Sequence, residues 1–228
     1  MNQIFLKKLL DFANQHIKEE GHGFSHFMQV FQHVENAISC CVLKDHQKKL
    51  IRYAALLHDV DDKKFFPQSC DYENARKLLE DQELSNADVE IIIKMISLVS
   101  CSTNGNENSD ELEEWMLYPR YADRLEALGK VGIQRAISYA NHLGRPMHDE
   151  TTERVNTIEE LDLVATKERF NNYVNKTKQA TTTIGHFYDK LVHLSNVQTN
   201  NPYFRNQFRI RHQLIVEFIF NYWKSIPS

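Results

Sequence analysis

Eleven histidines in 228 residues are the unusual chemical stock of this chain. His16, His33, His46, His148, His186 and His193 stand among polar neighbours and read as surface side chains. His26, His58 and Asp59 differ. His26 lies beside the stripe Phe27, Val30, Phe31, Val34, Ala37, Ile38 and Cys41, whose helical spacing predicts a buried face. The doublet His58-Asp59 follows the apolar run at 54–57, at the inner end of another helix. A buried imidazole and carboxylate need partners, because unpaired polar groups and charges are costly away from water. A structural His–Asp hydrogen bond is one solution and a metal ion is the other. Neutral imidazole with carboxylate suits Mn, Fe, Zn or Ni. Neighbouring residues point about 100° apart on a helix, so His58 and Asp59 reach one ion only from a helix end. His26 then arrives from the preceding helix, and a further carboxylate must come from downstream. Asp123 qualifies, in YADRLEALG beside Leu125 and Leu128.

The elements that must position these residues are helices. Only 7 glycines and 5 prolines occur, too few for the many tight turns of a sandwich or barrel. Helical stripes recur at 4–13, 27–41, 50–57 and 72–79. Ser85 and Asp88 make a capping box that favours helix over strand for the β-branched run at 91–99. The stretch 102–114 reads as a loop, followed by helix from Trp115 to about Ala140, broken at Gly129 or Gly132. A second loop covers 141–155, and Thr157 with Glu160 caps the helix after it. Residues 170–194 form one long helix or two, and 204–223 form the last. No repeat or linker stands out, so the expectation is one all-α domain.

Charge narrows the partners. Lys and Arg number 27 against 31 Asp and Glu, a net charge of −4, which gives no support to nucleic acid as the main partner. No apolar run reaches the roughly 18 residues of a membrane span, and the N-terminus lacks a signal-peptide core. Four cysteines without a CxxC pair point to a reducing compartment. The expectation is a cytoplasmic protein without membrane contact; a homodimer is left open.

The order His26, His58-Asp59, Asp123 resembles the H…HD…D signature of the HD-domain metal-dependent phosphohydrolases. The words HGFSHFMQV, AALLHDVDDKKF, YADRLEALGKVGIQRA, GHFYDKLVHL and RIRHQLIVEF are similar to those of one small branch, the nucleotide pyrophosphohydrolase-like proteins. The likeness covers about residues 15–223 and implies a single helical HD bundle over 1–228, with the metal between helices. Within the first word, Gly23, Phe24 and Gln29 stand where that branch often has Asp, Trp and Arg; no ligand is lost.

The resemblance implies one divalent ion held by His26, His58, Asp59 and Asp123. Manganese comes first, with Mg, Ni, Fe, Co and Zn as alternatives. Dinuclear relatives carry extra histidines between the doublet and the last aspartate, whereas this chain has none from 60 to 141. Asp62 and Lys64 match the pattern H-D-x-x-D-x-K-F, which implies that Asp62 orients or deprotonates water and Lys64 neutralises phosphate charge. Arg124, Arg145, Lys190 and Arg211 are the candidate phosphate cations, and Phe24 is a candidate platform for a base. The implied substrate is a nucleotide or other small phosphate ester, and the implied reaction converts a nucleoside triphosphate to monophosphate and pyrophosphate. Alternatives are a 5′-nucleotidase, a guanosine tetraphosphate hydrolase lacking its second acid (Asp62 is followed by Lys63), a non-haem iron oxygenase, and a helical binding module with a vestigial metal site.

Overall fold

The computed structural model describes residues 2–17, 23–106 and 112–227, and among them every regular element is a helix. His22, which opens the first histidine word, and residues 107–111 of the expected loop lie outside the described residues. Two compact units emerge, Met1–Val99 with Ser109–Asp123, and Ser100–Asn108 with Arg124–Ser228.

The first unit holds α1 (Gln3–His16), α2 (Phe24–Ser39), α3 (Asp45–Leu57), α4 (Glu73–Leu79), α5 (Asn86–Ser97) and a 3-10 turn, Glu114–Leu117. Helix α3 is its centre, packed against α2 and α5. Its residues 53–57 are all buried, so a central position, not an amphipathic stripe, sets its composition. Burying each such large apolar side chain contributes roughly 1.5–3 kcal/mol. Arg52 on α3 grips Glu35 on α2 through both ends of its fork, at 2.6 and 3.0 Å, which fixes the register of the two helices. Phe5 of α1 meets Tyr53 edge-on at 5.1 Å between ring centroids.

The β-branched run at 91–99 is helical over most of its length, as the Ser85 box predicts. Ser85 Oγ accepts from the Asp88 amide at 3.1 Å, and Asp88 accepts from the Ser85 amide at 3.2 Å. Helix α4 starts differently: Asp71 and Tyr72 adopt positive φ (49° and 56°), and the first amides of the helix turn towards Asp61.

The second unit holds α6 (Cys101–Asn104), α8 (Gly129–His142), α9 (Ile158–Val164), α10 (Lys167–Val174), α11 (Thr183–Asp189), a 3-10 turn Leu191–Ser195, and α12 (Pro202–Ser225). Helix α7 (Tyr118–Glu126) begins in the first unit and ends in the second. The break expected near Gly129 or Gly132 falls at the first: Gly129 takes φ +68° and opens α8, while Gly132 sits inside the helix. The loop expected from 102 begins with the short α6, because the chain at 100–104 closes a helical turn through Asn104 N to Ser100 O at 3.0 Å. The stretch 170–194 resolves into α10, α11 and the 3-10 turn. Thr166 and Thr182 each cap a fresh start there. Asn201 caps α12 and Pro202 occupies its first turn. His193 corrects the surface reading: it is buried, with its ring 5.0 Å from that of Phe170, because the first four residues of the 3-10 turn all face inward. No described helix is long and apolar enough to cross a membrane.

Candidate metal centre

The apolar sequence at 54–57 draws the C-terminal end of α3 into the core of the first unit, and His58 and Asp59 are carried in with it. His58 ends the helix with φ −58° and ψ −29°. Its side chain is fully buried, and that of Asp59 is 12% exposed. His26, the third residue of α2, is buried beside them, and Asp123 of α7 is 31% exposed. All four belong to the first unit.

Their donor atoms converge. His26 Nε2 lies 3.1 Å from His58 Nε2, 3.3 Å from Asp123 Oδ1 and 3.7 Å from Asp59 Oδ2. His58 Nε2 lies 3.4 Å from Asp59 Oδ2 and 3.7 Å from Asp123 Oδ1. Ligands bonded at about 2.0–2.2 Å to one ion stand roughly 3.0–3.5 Å apart when they are neighbours in an octahedron or tetrahedron. The observed separations match that spacing to within a few tenths of an ångström.

Protonation favours the same arrangement. His58 Nδ1 is 2.8 Å from the Ala55 carbonyl. A carbonyl only accepts, so Nδ1 carries a hydrogen, and Nε2, which faces His26, is the atom that can ligate when the ring is neutral. This is the tautomer a metal-binding histidine adopts. Burial opposes a charge on His58, yet Asp59, by charge and hydrogen bond, and then Asp123 and the Ala55 carbonyl outweigh it and push His58 up to about 9. Burial likewise opposes the Asp123 carboxylate, but the hydrogen bond from His26 and the charges of both imidazoles hold it below the usual range, with Asp59 acting against them. Two carboxylates and two imidazoles thus demand positive charge at their centre, and a divalent cation fits that donor set.

The chain after Asp59 is a run of turns. Asp62 N bonds Asp59 O at 3.1 Å, and the amides of Phe65 and Phe66 bond Asp62 O at 2.9 and 2.8 Å. Asp62 is half-buried and accepts from the Lys64 amide at 2.8 Å. Lys64 is exposed, with Nζ 5.3 Å from the centre of the Phe65 ring. Phe66 stacks on Phe12 of α1 at 5.6 Å, which anchors the far side of the loop. Sequence reasoning passed over Asp61. It is buried and accepts from the amides of Asn74 and Ala75 at 3.1 and 2.8 Å and from the Ser69 hydroxyl. Its carboxylate serves α4 as a cap supplied from a distant point in the chain. No local pattern announces such a cap.

The candidate cations of the second unit divide into two groups. Arg124 is buried and gives Nη2 to the Gly105 carbonyl. Arg211 is half-buried and gives Nη1 to the Leu125 carbonyl, with Glu126 Oε1 at 3.5 Å and its stem under Gly129. Both guanidinium groups are thereby engaged by backbone oxygen atoms. Lys190 and Arg145 form the other group. Lys190 Nζ rides 5.4 Å from the centre of the Tyr173 ring. Burial, then the charge of Lys190, then that of Arg145, drive His186 down to about 3. The sequence placed His186 among surface residues; it is partly buried and gathers these two cations around it. Phe24 opens α2 two residues before His26 and is half-buried.

No family model matches the chain. The uncharacterized protein L803 of Acanthamoeba polyphaga mimivirus is 38% identical over 217 residues, covering 89% of this chain and 88% of L803. Among solved structures, a protein from Lactobacillus plantarum superposes with a TM-score of 0.70 at 23% identity, covering 99% of this chain and 100% of that one. An HD-superfamily hydrolase from Bacillus thuringiensis gives 0.66 at 22% identity, with 98% and 99% covered. Bacillus subtilis YpgQ, solved in complex with ADP, gives 0.67 at 19% identity, with 99% and 94% covered. At these identities the structures establish a shared fold.

Proposed function

For a chain that belongs to one family with the mimivirus protein L803 and has the fold of an HD-superfamily hydrolase, we propose a metal-dependent phosphohydrolase acting on nucleotides. One observation carries the reading: the donor atoms of buried His26 and His58 and half-buried Asp123 converge, and Asp59 Oδ2 lies 3.4 Å from His58 Nε2 and 3.7 Å from His26 Nε2. These four side chains would hold one divalent ion, manganese first among the candidates. When bound, such an ion supplies Lewis acidity towards water and a phosphoryl oxygen.

The protein's own groups supply the rest. The His58 Nδ1–H bond to Ala55 fixes the ring so that Nε2 presents its lone pair. Asp62, one turn beyond Asp59, takes a proton from the attacking water. Lys64 meets charge developing on phosphate. Lys190, Arg145, Arg211 and Arg124 are the cations we assign to the phosphates. Phe24 packs against the base. Support for a nucleotide comes from YpgQ, which shares the fold and was solved with ADP. Attack at the α-phosphorus of a nucleoside triphosphate gives a nucleoside monophosphate and pyrophosphate.

A panel of nucleoside tri-, di- and monophosphates with Mn, Mg, Ni and Co, read by phosphorus NMR, tests this. Pyrophosphate is the expected product. Orthophosphate with a nucleoside would replace the reading by a 5′-nucleotidase, and orthophosphate with a diphosphate would mean attack at the terminal phosphorus.

A further inference from the structure

The first half of α12 carries charge in a way that helix physics opposes. Arg205, Arg209 and Arg211 lie within its first ten residues, and Glu217 is the sole carboxylate of the whole helix. Arg205 and Arg209 are four residues apart, which sets their Cβ atoms about 5–6 Å from each other and makes them repel. Arg205 also stands near the positive end of the helix dipole. The positions three and four residues from either hold Asn201, Pro202, Asn206, Phe208, His212 and Gln213, and no acid. Neither arginine forms an ion pair among the described residues; Arg209 bonds only the Asn206 amide oxygen, at 3.2 Å. Places where a sequence breaks local rules mark functional or strained sites.

Both arginines are exposed and line an open concavity of about 500 Å³, together with residues 195–200, Phe208 and His212. Phe208 is buried and forms the apolar side. Among the described residues no aspartate or glutamate lines this space, in a chain whose acids outnumber its bases. The acid whose charge reaches His212, Asp162, is not among the lining residues. The walls are preformed: Ser195 Oγ is 2.7 Å from His212 Nδ1, and Thr199 Oγ1 accepts from the Asn201 amide at 3.1 Å. Residues 195–200 line the same space as the two arginines, whose planar guanidinium forks suit phosphate. The volume suits a ligand the size of a mononucleotide.

We propose that this concavity binds a small phosphate-bearing ligand, pyrophosphate or a mononucleotide, through Arg205, Arg209 and the loop at 195–200. None of the residues assigned above to metal or substrate lines it. A single concavity with two cations, in a chain of net charge −4, favours a small ligand over a nucleic-acid strand, which needs a basic track.

Histidine-labelled protein freed of metal with a chelator is titrated with pyrophosphate, ADP and a thymidine oligonucleotide, and the His212 ring signals are followed by NMR. The expected result is a saturable His212 shift with pyrophosphate or ADP, weakened at least tenfold in R205Q/R209Q, which keeps its metal-loaded hydrolysis. No His212 response up to about 10 mM ligand, far above ordinary micromolar affinities, overturns the proposal. So does a response to the oligonucleotide alone, or an unchanged affinity in the variant. If R205Q/R209Q fails to fold, the titration of the unaltered protein decides by itself. A His212 response in a protein that hydrolyses nothing would sink the catalytic reading and leave this site standing.

Discussion

The donor cluster of the first unit and the basic cluster of the second are built by opposite means. His26, His58 and Asp59 are held by α2 and by the buried end of α3, and the Arg52–Glu35 fork links α2 to α3. Lys190 and Arg145 stand on the edges of short pieces, the end of α11 and the loop after α8, and keep partial exposure. A metal needs donors placed to a few tenths of an ångström, and the candidate donors sit where packing leaves little freedom. A phosphate attracts charge over a longer range and tolerates mobile lysine and arginine stems. The contrast teaches that rigidity is concentrated where coordination demands it.

Breaking the first cluster should have the largest effect. Asp59→Ala is expected to remove bound metal and lower turnover by about 10³-fold or more, since the Lewis acid contributes several kcal/mol; elemental analysis and steady-state rates check both halves. Asp62→Asn should lower kcat by roughly 10²-fold, as loss of a general base does, while metal content stays that of the parent. If Asp62→Asn empties the site, its role is ligation and the assignment fails. Lys190→Ala with Arg145→Ala should cost about 10- to 100-fold in kcat/KM for a triphosphate, the worth of one or two charge-assisted hydrogen bonds, and much less for a monophosphate. Asp61→Ala should leave the chemistry recognisable but destabilise the first unit by about 1–3 kcal/mol, through uncapped amides of α4; denaturant unfolding measures it.

A smaller effect sharpens the second cluster. His186 titrates near 3 in the folded chain and near 6.5 unfolded. At pH 7 both states are neutral and the group contributes nothing. As pH falls below about 6.5 the unfolded chain takes up a proton that the folded chain refuses, so stability drops towards pH 3. His186→Gln should flatten that fall, and Lys190→Ala should raise the His186 pKa in an NMR titration. An unmoved His186 would separate Lys190 from the cluster.

Much of the helical framework was legible because the stripes and the Ser85, Thr157 and Gly129 signals are local. So was the attraction between His26, His58, Asp59 and Asp123, since a histidine-aspartate doublet at the end of an apolar run must find polar partners inside the core. What stayed hidden depends on contacts far along the chain. Asp61 caps a helix that starts twelve residues later. The backbone partners of Arg124 and Arg211, the carbonyls of Gly105 and Leu125, are likewise set by the fold and not by a local pattern. His193 looks polar in LVHLS, but a 3-10 turn points it inward. The division into two units leaves no compositional mark, because one crossing falls within α7, between Asp123 and Arg124.

The central claim is that four side chains of the first unit hold one ion. Anomalous diffraction from manganese-loaded crystals tests it most directly. The account predicts one peak per chain, about 2.0–2.3 Å from His26 Nε2, His58 Nε2 and an oxygen of each of Asp59 and Asp123. A map without a peak there, or with its peak at other residues, contradicts it.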